Sequence, residues 1–175
     1  MSSTDRQPLP ESEACSAAED AGYDYVLRTQ VADAPVDRVI AKLLDPQFYV
    51  ELHPLLVDGQ VIDRDEHGTM RVLFTDRIKF CCCSFLLSYQ SLFFAPQRTS
   101  SGATLLRARA NASMGVTVHT CFNVSTVSSL GAPSCTELIM KVKLTGGGLF
   151  HSCAASQARA AHAHFMEQVQ LYRFV

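Results

Sequence analysis

The sequence predicts an α+β fold: an antiparallel sheet of about seven strands, two short helices after the first strand, and one long C-terminal helix. Three observations predict it. Residues 56–145 form a succession of β-branched and aromatic runs separated by short turns. Residues 33–54 carry two short helical stripes bounded by prolines. Residues 149–174 hold no Gly or Pro and are rich in Ala, Gln and Arg, which favour helix.

Each element follows from its residues. Residues 1–22 are polar and acidic with two prolines, so they read as a disordered leader ahead of a domain spanning 23–175. Tyr23, Tyr25, Leu27, Thr29 and Val31 then alternate with polar residues, the period of a half-buried strand. Asp33-Ala34-Pro35 starts a helix, with Asp33 as its expected N-cap and Val36, Val39, Ile40 and Leu43 on one face. Asp45-Pro46 ends it, and Phe48, Tyr49 and Leu52 form a second helical turn stopped by His53-Pro54. Residues 56–64 and 69–80 read as a hairpin around Asp65-Glu66-His67-Gly68. Strands over 84–95, 104–112, 116–127 and 135–145 continue an antiparallel meander. The last helix repeats apolar residues at three- and four-residue steps through Cys153, Ala154, Ala158, Ala161, Phe165, Val169 and Tyr172. Its small residues allow close approach to the sheet or leave space beneath.

Composition narrows the function classes. The chain has 175 residues, 47% of them hydrophobic, and folding at this size removes about 70% of the accessible surface, enough for one core. Lys and Arg number 15 against 17 Asp and Glu, so there is no basic excess to neutralise phosphates and no nucleic-acid partner is expected. No apolar run reaches the ~18 residues of a membrane span, and no secretory signal precedes the polar start. Seven cysteines, an odd number without framework spacing, suit a reducing cytoplasm. Cys81-Cys82-Cys83 cannot supply one tetrahedral zinc, because consecutive strand residues point to alternate faces. No metal or cofactor is expected. His162 and His164 stand about 200° apart around their helix and cannot share a metal either.

The segments Ala34-Pro35-Val36-Asp37-Arg38-Val39, Asp45-Pro46-Gln47-Phe48-Tyr49 and Glu51-Leu52-His53-Pro54 resemble the opening of the START-like (SRPBCC) superfamily. That superfamily includes polyketide cyclases, pollen-allergen relatives and lipid-transfer domains. Leu52 stands where many relatives carry Trp. The resemblance covers residues 23–175 and implies the helix-grip arrangement, a curved sheet wrapped around the C-terminal helix. It also implies a hydrophobic small molecule or lipid held between them.

Curvature keeps the inward side chains from all meeting, so a space is expected there. Strand parity sorts what surrounds it. Val116, Val118, Thr120, Phe122 and Val124 share one face, opposite Thr117, His119, Cys121 and Asn123. Leu106, Ala108, Ala110 and Ala112 share another, whose small residues mark where something else approaches. The ligand-lining residues expected are Phe48, Phe74, Tyr89, Val118, Phe122, Met140, Phe165 and Val169, with Arg109, His119 and His164 as polar contacts. Binding of this kind needs no catalysis. Two alternatives use the same chain: a polyketide cyclase or aromatase working in the cavity, and a protein-interaction module of the chaperone-activator kind using the strand around Phe93-Phe94, which is apolar on both faces. Transient membrane contact stays compatible with a carrier, and the sequence leaves the oligomeric state open.

Overall fold

The computed structural model describes residues 22–80, 83–112, 115–127, 135–148 and 151–174, with Lys79, Phe80 and Cys83 described by backbone alone. The expected leader therefore lies outside the described residues apart from Gly22, as do Cys81 and Cys82 of the cysteine triplet. The elements run β1 (Tyr25–Val31), α1 (Val36–Leu43), α2 (Pro46–Leu52), β2 (Leu56–Arg64), β3 (Met70–Phe80), β4 (Cys83–Phe93), β5 (Gln97–Arg98), β6 (Thr104–Asn111), β7 (Val116–Val127), β8 (Cys135–Gly146) and α3 (His151–Leu171). Every strand pairing is antiparallel, in the order β1-β8-β7-β6-β4-β3-β2, with the two-residue β5 attached to β6.

The two short helices carry the chain from β1 at one edge of the sheet to β2 at the other. Their starts differ from each other. Asp33 does not cap α1: it sits in the left-handed region at φ 54°, while Pro35 occupies the cap position without a side-chain hydrogen bond. Thr136 on β8 secures this turn by donating to the Ala34 carbonyl at 2.5 Å. Asp45, by contrast, caps α2 by accepting from the Gln47 N–H at 3.0 Å, with Pro46 in the first helical position.

The glycine run between β8 and α3 is explained by backbone geometry. Gly146, Gly147 and Gly148 all have positive φ, and a Cβ on Gly146 would stand 2.2 Å from the Gly115 carbonyl oxygen. Only glycine satisfies both conditions at that position. The turn thus sends α3 back across the concave face of the sheet.

The core is not uniform along α3. Its C-terminal half buries Phe165, Met166 and Val169. Phe48 is 1% exposed and packs edge-on against Phe165 at 6.0 Å and Tyr172 at 5.0 Å, with Phe174 at 6.0 Å. These rings close one end of the space between sheet and helix. α3 stops at Leu171, and Tyr172 and Phe174 beyond it remain part of this aromatic cluster.

Candidate functional site

Beneath the N-terminal half of α3 the space stays open. Cys153, Ala154, Ala158 and Ala161 face the sheet from the helix, and Ala108, Ala110 and Ala112 face the helix from β6. Small side chains on both sides cannot meet across the gap. The result is a cavity of about 400 Å³, within the range that holds small-molecule ligands. Register builds its wall: Ala110 pairs with Val118, Ala108 with Thr120, and Phe122 with Met140. Tyr49 and Phe165, stacked at 5.2 Å and 3°, form the floor that separates the cavity from the aromatic cluster. Phe74 fits against β2 because Gly59 lacks a side chain; a Cβ there would stand 2.8 Å from the Phe74 ring.

Besides Ser91, Thr120 and Gln157, two titratable groupings mark this largely apolar lining. The first joins three elements: Tyr25 of β1 and His162 of α3 share a hydrogen bond of 2.6 Å between the hydroxyl and Nδ1, and the His53 ring lies 5.7 Å from that of His162. Burial lowers the pKa of His162 to about 3, assisted by His53. Burial likewise lowers that of His53 to about 4, assisted by His164. Both rings are therefore neutral near pH 7. The Nδ1 of His53 is buried without a hydrogen-bond partner among the described residues.

The second group is Asp76 on β3, whose carboxylate accepts a long hydrogen bond of 3.4 Å from the Tyr89 hydroxyl. Burial raises the Asp76 pKa to about 6, and the Tyr89 hydrogen bond is the one opposing influence. Among the described residues no Lys or Arg lines the cavity. A hollow outside the cavity, between residues 54–57, β3 and α3, shares Leu55, Ile78, Gln157 and Ala161 with it.

The structure places the expected residues in three groups. Phe74, Tyr89, Val118, Phe122, Met140 and Phe165 line the cavity. Phe48 and Val169 are buried in the filled end instead, because they lie on the far side of the Tyr49–Phe165 floor. Arg109 and His119 are corrected to the outer face: they pair across β6 and β7, and their odd-numbered positions point away from Ala108, Ala110, Val118 and Thr120. The His119 pKa is lowered by burial, then by Arg109 and Lys143, its neighbours on that face. His164 is exposed and lies in the outer hollow. The residue that turns inward is His162, one position after Ala161 and four after Ala158, so the helical stripe already contained it. Asp76 was likewise available from strand parity with Phe74. Phe93 lines the cavity, and Phe94 is half-buried with its N–H bonded to Arg107. Among the described residues the exposed apolar side chains of that strand, β4, are Phe85 and Leu86 instead.

Among the described residues no group of three His, Cys, Asp or Glu side chains is arranged to hold a metal. No helix among them is long and apolar enough to cross a membrane. No protein-family model matches the sequence, and no curated protein is significantly similar to it. Solved structures are similar in fold. Human STARD10 aligns with a TM-score of 0.55 at 12% identity, over 84% of this chain and 63% of that one. A START superfamily protein from Mycobacterium smegmatis aligns with a TM-score of 0.51 at 11% identity, over 84% and 97%. The di-domain ARO/CYC StfQ of the steffimycin biosynthetic pathway gives 0.56 at 14%, over 83% of this chain and 44% of its own. With the element order and the sheet topology, these likenesses identify the fold as the START-like helix grip.

Proposed function

We propose that this chain, a START-like helix-grip domain, takes a lipid or other hydrophobic small molecule into the space beneath α3 and carries, transfers or sequesters it. The observation that supports this reading is the unfilled, largely apolar cavity of about 400 Å³ between two facing rows of alanine. Its affinity comes from apolar area withdrawn from water, about 25 cal/mol per Å² before ordering costs are met. No catalytic residue or cofactor is needed for this role. Cys135 and Cys153 stand as thiols, in keeping with a cytoplasmic setting, and the exposed Phe85 and Leu86 offer apolar surface for transient membrane contact. Native mass spectrometry of the purified protein tests the reading. A co-purified apolar molecule, or a rise in melting temperature on adding lipid, is expected; neither appearing in folded protein refutes it.

A second reading, a polyketide cyclase- or aromatase-like enzyme using the same cavity, is favoured by one observation. His53 and His162 both line the cavity, with Tyr25 hydrogen-bonded to His162 from behind, and a neutral imidazole facing a bound molecule can take a proton from it. Turnover of cyclisable polyketides that is lost in both His162→Gln and His53→Gln, with folding retained, would establish it. Binding without turnover leaves the carrier reading standing.

A further inference from the structure

The cavity's charge pattern selects among apolar ligands, and the selection rests on the carrier reading above. Asp76 is the carboxylate of the lining, half-buried, and the register sets it opposite Leu56 on β2 and Leu87 on β4. Its hydrogen-bonding neighbour, the Tyr89 hydroxyl, donates at 3.4 Å, a long and weak contact for a charged acceptor. No Lys or Arg among the described residues lines the same space. The basic side chains that do line it are His53 and His162, which burial keeps neutral near pH 7. Arg77, next along β3, and His164 on α3 lie in the outer hollow with Pro54, Leu55 and Val57.

An ionised carboxylate withdrawn from water without a cation is costly, and a ligand that brings the missing positive charge or donor recovers that cost. A ligand carrying its own carboxylate does the reverse, placing a second negative charge in a space that offers no fixed cation. We infer that the cavity takes an apolar molecule bearing a hydrogen-bond donor, best a protonated amine, with that group paired to Asp76, and that it discriminates against apolar carboxylates. Tyr89 keeps its place in the complex, donating to the other side of the same carboxylate. Specificity of this sort is a difference between matched ligands rather than a gain in total affinity.

The test is a series of ligands with one tail and three heads: decylamine, decanol and decanoate, titrated by calorimetry at pH 7.4 below their micellar concentrations. The amine is expected to bind at least about tenfold tighter than the carboxylate, with the alcohol between them. In Asp76→Asn, which keeps the shape and removes the charge, the amine's advantage should shrink to within about threefold. A carboxylate that binds as tightly as the amine overturns the inference. So does an amine preference that survives Asp76→Asn, because another group would then be its source. If none of the three binds to folded protein, the carrier reading itself fails and takes this inference with it; binding of all three with equal affinity removes the inference alone.

Discussion

The two ends of the space beneath α3 face the same sheet from the same helix, yet one is solid and the other is empty. Around Phe165 and Val169 the helix meets Phe48, Tyr172 and Phe174, and ring packing leaves no room. Two to three turns earlier, Ala154 and Ala158 face Ala108, Ala110 and Ala112, and a cavity persists. The backbone path does not account for the difference; side-chain volume does. A filled end holds the helix in place, and that anchorage lets the other end stay open without collapsing onto the sheet.

The comparison can be broken from either side. The largest effect belongs to the anchored end. Phe48→Ala should lower unfolding free energy by about 3–5 kcal/mol, the range for a fully buried aromatic ring, measured by denaturant titration. A loss below about 1 kcal/mol would mean that the filled end is not the anchor.

Asp76→Asn probes the open end in the ligand-free protein. The folded pKa of Asp76, about 6, lies above its ordinary value of 3.8. The folded state therefore binds more protons between these values, and this group's contribution to stability falls as pH rises through them. Replacing it with Asn should stabilise the protein at pH 7.5 by on the order of 2 kcal/mol and have little effect at pH 4. His53 and His162 act oppositely: their pKa values are lowered, so their contribution is lost as pH falls below 6.5. Comparing the variant with wild type at each pH cancels that background.

Ala158→Phe fills the open end directly. It should weaken binding of any cavity ligand at least about tenfold while changing stability by less than about 1.5 kcal/mol, since the ring enters existing space rather than a packed core. Calorimetry and thermal melting on the same preparation check both halves. The outer face supplies the reference: His119→Ala should leave ligand affinity unchanged and shift stability by no more than about 0.5 kcal/mol.

Much of this was legible in the chain. Alternation marks most of the strands, proline and aspartate bound the short helices, and the absence of Gly and Pro from residues 149–174 marks α3. Parity also separated Ala108 and Ala110 from Arg109, and Val118 and Phe122 from His119, so the sequence already held the division into inner and outer faces. The two-residue β5 escaped notice because a strand that short has no period to detect. Asp33 has the composition of a cap, but it lies two residues ahead of the cap position, which Pro35 occupies, and in the left-handed region.

Local periodicity by itself therefore determined the longer elements, their order and the two faces of most of them. It could not determine depth along a face, because Phe48 and Phe74 read alike in one dimension. Only the folded arrangement set Phe48 beyond the Tyr49–Phe165 floor and Phe74 before it. Likewise, Tyr25 and His162, 137 positions apart, meet only when β1 and α3 pack. Whether facing side chains touch depends on the distance between elements, a quantity that periodicity along one segment does not carry.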